Sequence, residues 1–217
     1  AGWDTTIFGP YFVSGAFVAG AAAVIMVMYV YRLRYRLKSY FTDYHFDQMG
    51  KLMVFVCLVY LYFNINEFLV PGYKMKTAEG IHLNTLFSGR YAGMFWFAQI
   101  GGIVLPVILL LFRYFRRPFM LTVISAIVLV ASWFKRYIIV VPTEEHPFLP
   151  IQNVPENFVH YSPTSHEIVI TVFPIVVAIM IITILAKLFP VICIWEYAEQ
   201  QGIDKSYLAE TPKSSTL

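Results

Sequence analysis

Charge is what this sequence has least of. Asp, Glu, Lys and Arg together make up 13% of 217 residues, about half the roughly 25% of a water-soluble domain. Apolar residues reach 59% and aromatics 18%, and mean hydropathy is +0.65. A soluble globular domain is excluded. The net charge of +3 gives no reason to expect a nucleic-acid partner, because the basic residues sit at the edges of apolar runs and form no patch.

Cysteine is nearly absent. Only Cys57 and Cys193 occur, each within an apolar run, which excludes a disulfide framework and CxxC metal sites; both read as packing residues. Histidine is missing from the middle of every apolar run. His45, His82, His146, His160 and His166 fall between runs or at their ends, so no pair is placed to ligate a membrane b-type haem. The chain begins without Met and without a basic n-region, unlike a signal peptide. The expectation is a processed product or the C-terminal part of something longer.

What is present is long apolar stretches. Five spans are expected at residues 7–31, 48–69, 91–112, 119–141 and 164–195, followed by a polar tail at 196–217. The fourth, with 23 residues, gives about 35 Å of helix, enough to cross a bilayer. Small residues in the first span (Gly15, Ala16, Ala19, Gly20, Ala23) recur three and four apart, which lets a neighbouring helix come close in lipid. Gly101-Gly102 and Pro106 mark a kink or close packing in the third. Loops are expected at 39–47, at 70–90 and at 142–163. The fold class is therefore all-α, an integral membrane bundle of about five transmembrane helices.

Charge asymmetry orients it. With the N-terminus outside, the inner side carries eleven cations (Arg32, Arg34, Arg36, Lys38, Lys51, Arg113, Arg116, Arg117, Lys187, Lys205, Lys213) and the outer side three (Lys74, Lys76, Arg90). Cytoplasmic loops carry the Lys and Arg excess, so the N-terminus is expected outside and the C-terminus inside.

The unusual stretch is Trp133-Phe134-Lys135-Arg136-Tyr137. Cations in a span cost about 2.5–3.5 kcal/mol each at the bilayer centre. Arg136 lies about 9 Å, and Glu67 about 6 Å, inside the outer ends of their helices. Asp4 precedes the first span, Arg90 the third, and His166 and Glu167 open the fifth. All five spans thus bring an ionisable group to one side. Tyr60, Asn64 and Glu67 fall on one helical stripe, and so do Ser125, Ser132 and Arg136; Lys135 points about 100° away from Arg136. A polar cluster that conducts protons or binds quinone fits this pattern. So does snorkelling with interfacial anchoring, and for His166-Glu167 a helix cap built on Thr164 or Ser165. The 40–46 connection, with Asp43, His45 and Asp47 in or beside it, reads as a solvated interfacial segment or a proton entrance.

The stretches WDTTIFGPYFVSGAF (3–17), HFDQMGKLMVFVCLVYLYFNINEFLVPGY (45–73) and WFKRYIIVVPTEEHPFLP (133–150) resemble the membrane subunit of the polysulfide reductase (NrfD) family. The likeness is strongest to the larger such subunit of alternative complex III, a bacterial quinol-oxidising respiratory complex, and this chain would be its C-terminal half. The resemblance implies a bacterial inner membrane and a lipid environment. It implies menaquinol as substrate of the complex, with iron–sulfur clusters and c-type haems in partner subunits and none bound by this chain. The implied partners are the N-terminal half, a second NrfD-like subunit, an iron–sulfur subunit and c-type cytochromes. It further implies that Asp4 reaches the quinol pocket as proton acceptor, and that Glu67, Lys135, Arg136, His166 and Glu167 transfer protons. Two rivals stand beside it. One is a structural anchor for peripheral redox subunits. The other is a transporter, for which Pro106 and Pro174 are the only broken-helix signals.

Overall fold

The structure, a computed structural model, describes residues 5–35, 37–74, 77–145, 161 and 163–189, the side chains of 77 and 78 excepted. Every regular element among them is helical. Five helical stretches are long and apolar enough to cross a membrane. The chain divides into two units, Ala1–Tyr161 and Ser162–Leu217.

The first unit holds four of the five. Helix α1 (Phe8–Arg34) lies against α2 (Asp43–Lys74) and against α6 (Pro118–Glu145). The third span is composite. It comprises α4 (Ala92–Trp96), a π-helical stretch (Phe97–Val104) and α5 (Leu105–Leu111). The π stretch packs on α6 and α5 on α2, so four spans close a ring. The buried stripes follow helical spacing: Tyr11, Ser14, Val18, Ala22 and Ile25 on α1, and Met53, Cys57, Tyr60, Asn64 and Glu67 on α2. Outward positions such as Phe17, Phe55, Ile108 and Trp133 are exposed and apolar, the surface that lipid tails require.

Gly102 and Gly15 are two of the points of close approach. A Cβ on Gly102 would meet the Ala131 Cβ at 2.7 Å, and one on Gly15 would meet the Tyr60 ring at 3.0 Å. Gly20, expected to serve the same purpose, has open space around it. The expected irregularity near Gly101-Gly102 and Pro106 takes the form of the π stretch. Pro106 lacks the N–H that a regular helix would return to the Gly102 carbonyl, and a wider turn just before it accommodates the loss.

Several boundaries differ from expectation. Helix α2 starts at Asp43, inside the expected connection, and runs through Pro71 to Lys74; α6 likewise passes through Pro142 to Glu145. One proline removes a single backbone bond, and packing can outweigh that: the Pro142 side chain is fully buried. The expected loop at 70–90 is largely helix, α3 (Thr77–Phe87). Glu79, His82, Leu83 and Leu86 turn inward at three- and four-residue spacing, which fastens α3 across one end of the ring. Leu86, Tyr91, Phe95, Ala98, Ile138 and Val141 form a second apolar cluster there.

The second unit contains α7 (Ser165–Leu188), with Pro174 inside it. It begins at Thr164, whose backbone N–H donates to the Glu167 carboxylate at 2.8 Å. The helix ends at Leu188, with Phe189 extended; residues 190–195 of the expected span, and the tail at 196–217, lie outside the described residues.

Candidate functional site

Lys135 is the centre of the site. It occupies the inward stripe of α6 with Val128, Ala131 and Ile138 and is only 4% exposed. Its Nζ donates to Asn64 Oδ1 at 2.8 Å. Asn64 Nδ2 donates in turn to Gln99 Oε1 at 2.7 Å. Three rings surround the ammonium, Phe68 at 4.7 Å, Phe95 at 5.4 Å and Tyr11 at 5.7 Å from Nζ to centroid. Desolvating an ammonium costs several kcal/mol. Ring faces return about 0.5–2 kcal/mol each, and a hydrogen bond to a charged group about 1.5–3 kcal/mol. The surroundings offset most of the cost of placing the charge there.

Gln99 reaches Asn64 from the π stretch, which links the helical irregularity to the site. A π turn changes the register by which side chains face inward, and such turns concentrate at functional sites. Gln99 carries no sequence signal beyond being one amide in an apolar span, and it was not among the expected residues.

Glu67 is 7% exposed. Its Oε2 accepts from Thr5 Oγ1 at 2.7 Å. Glu67 and Lys135 line one cleft of about 530 Å³, together with Tyr11, Glu79, His82 and apolar side chains of α1, α2, α3 and α6. Glu79 and His82 are 3% and 9% exposed. Sequence reading placed them in a loop. The signal that finds them is their i, i+3 spacing, continued by Leu83 and Leu86.

Arg136 behaves differently from Lys135. Its guanidinium carbon lies 3.6 Å from the centroid of the Phe12 ring, and Nη2 reaches the Phe12 carbonyl at 3.4 Å. Arg136 lines a second cavity of about 410 Å³ with Tyr11, Gly15, Tyr60, Ser132 and Lys135. The stripe of Ser125 and Ser132 was expected to carry Arg136 inward. Ser125 is fully buried, and Ser132 and Arg136 are half-buried with the Arg136 Nη1 atom inside; the most buried line of α6 runs from Ser125 through Val128 and Ala131 to Lys135, and Ser132 turns its hydroxyl back to the Leu129 carbonyl at 2.9 Å.

Asp4 lies outside the described residues. His166 and Glu167 belong to the second unit, where both are exposed and Glu167 caps α7. Arg90 is exposed, with its guanidinium 5.9 Å from the Tyr91 ring centroid. Nearby, Tyr91 Oη donates to Glu145 at 2.8 Å and fixes the end of α6.

Fold and site together define a multi-pass helical membrane protein with a buried cation, two amides and acidic side chains gathered at one end of a four-span ring. The chain belongs to the family described as Polysulphide reductase, NrfD, whose sequence model matches residues 2–145. The match covers α1 to α6 and ends where α6 ends; α7 lies beyond it. No curated protein matches the chain. Members of this family are membrane subunits of quinone-linked redox complexes and work with partner redox subunits.

Proposed function

We propose that this chain is part of the membrane subunit of a respiratory quinol-oxidising complex of the alternative complex III type, where it contributes to menaquinol oxidation and to proton transfer across the membrane. Its N-terminus faces outside, in a bacterial inner membrane. Its partners are the N-terminal half of the same subunit, a second NrfD-like subunit, and iron–sulfur and c-haem subunits that take the electrons. Oxidation of one quinol yields a quinone, two electrons and two protons. The electrons leave through the partners' centres, and the protons need acceptors within the membrane. Asp4 takes a quinol proton, and Glu67, Lys135 and Arg136 relay or store charge, with His166 and Glu167 as the contribution of α7.

The observation that carries this reading is the burial of Lys135 on a chain of amides, in a cleft shared with Glu67. A static anchor gains nothing from such an arrangement, because well-packed apolar residues of similar volume are as stable or more so. Lys135→Met and Glu67→Gln in the assembled complex, reconstituted in liposomes, test it. Quinol turnover should fall about a hundredfold, the low side of what positioned acids and bases contribute, or fewer protons should be delivered per electron. Asp4→Asn should slow quinol oxidation without dispersing the complex. Unchanged values in all three would leave the anchor reading in place.

A further inference from the structure

Helix α3 places two ionisable side chains where apolar ones would fasten it better. Leu83 and Leu86 already hold it to the ring, and α3 packs on α2, α4 and α6. Yet Glu79 and His82, on the same inward face, are nearly as buried as those leucines. The Glu79 Oε2 atom is buried and accepts no hydrogen bond from the described residues. A buried polar atom left unmatched is costly and calls for a reason of its own, such as exchange of a proton or water. The titratable groups that share its cleft come from four helices: Tyr11 of α1, Glu67 of α2, His82 of α3 and Lys135 of α6; α4, which also packs on α3, supplies none to it.

We infer that Glu79 and His82 are the proton-relay pair between the buried Lys135–Glu67 group and the end of the bundle that α3 covers. The inference rests on the proton-transfer reading above and gives that site its mouth. The rings of Phe68, Phe95 and Tyr11 enclose Lys135 within the ring, and the cleft under α3 reaches it from the bundle end. A proton on Lys135 Nζ or on the Glu67 carboxylate passes to the Glu79 carboxylate, then to a ring nitrogen of His82, then to bulk water. One N–H or O–H bond breaks as the next forms. No heavy-atom bond changes, and no electron moves. The spacing suits the task, since residues three apart on a helix are surface neighbours.

The test uses the assembled complex in liposomes, with quinol turnover followed against pH and protons counted per electron. Glu79→Gln and His82→Ala should each lower turnover about a hundredfold, the low end of a proton-transfer contribution. Quinol KM should stay unchanged and the pH profile should flatten, and added imidazole should restore much of the His82→Ala loss. A merely structural role would move neither the profile nor the imidazole response. Should Glu79→Gln fail to assemble, Glu79→Leu replaces it; it removes the unmatched oxygen and should assemble at least as well. If Lys135→Met loses turnover while the α3 variants keep wild-type rates and profiles, the relay is overturned and the function above stands. If Lys135→Met is itself unaffected, that function fails and the relay goes with it.

Discussion

The two ends of the four-span ring handle charge in opposite ways. At one end Arg32 pairs with Asp43 at 2.7 Å, and Asp47 pairs with Arg116 at 2.7 Å and with Lys51 at 2.8 Å. Arg116 also donates to the Leu110 carbonyl at 3.0 Å. Here every acidic side chain of the first turns of α2 meets a cation, and Asp43 remains 74% exposed. At the other end Lys135 has amide and aromatic company, and Glu67 and Glu79 are buried near it. Charge at the first end suits an interface with water and headgroups. Charge at the second end lies inside the bundle, where it costs stability, and the proposed proton transfer supplies a reason to keep it.

The sharpest way to break this comparison is Lys135→Met. Turnover of the complex should fall about a hundredfold, while thermal stability in detergent stays the same or rises, because an apolar side chain of similar length replaces a desolvated ion. Loss of stability together with function would make Lys135 a structural residue. Asn64→Leu comes next. It leaves the ammonium without its acceptor and should cost about 1.5–3 kcal/mol, the worth of a hydrogen bond to a charged group. Combined with Lys135→Met, the part of the cost that belongs to the ammonium should vanish, leaving only that of the Gln99 amide, which loses its Asn64 partner either way. A double-mutant cycle by chemical denaturation reads the coupling directly.

How much of this was legible in the sequence divides along the same line. The spans were, because length and apolarity determine them with no knowledge of neighbours. The Tyr60–Asn64–Glu67 stripe was too, since three polar residues at helical spacing in one apolar run leave a single inward face. The direction of α6 was not. Adjacent Lys135 and Arg136 differ by one position, about 100°, and the two serines pulled the choice toward Arg136. The Gly102–Ala131 approach sets Ala131, one turn before Lys135, against a neighbouring helix, a contact between helices that one helix's spacing does not encode. Gln99 was hidden because the π stretch shifts the register from which inward faces are read. Glu79 and His82 were hidden because Pro71-Gly72 and Gly89 punctuate the segment as a loop. Eleven residues of α3 are too few to hold a helix by propensity alone, and only docking on the ring does so.

At the ion-paired end the expected effects are smaller. Asp47→Ala removes the partner of both Arg116 and Lys51, whose side chains are 15% and 51% exposed. It should cost about 1 kcal/mol, the upper range for partly exposed pairs, and that cost should shrink at high salt. Turnover should stay at the wild-type level.

Asp43→Asn should have the least effect of all. The Arg32–Asp43 contact is short at 2.7 Å, but distance alone does not set its worth. Water reaches most of the Asp43 side chain, so the carboxylate is solvated with or without Arg32. Arg32 in turn keeps its place over Phe46, with its guanidinium carbon 5.5 Å from the ring centroid, whatever occupies position 43. The substitution should therefore shift stability by less than about 0.5 kcal/mol, within the range of exposed pairs that contribute little. Thermal unfolding of the purified chain beside Asn64→Leu supplies the measurement. If the two variants were equally destabilised, burial would not be what separates the two ends, and the argument that Lys135 is kept for chemistry would lose its footing.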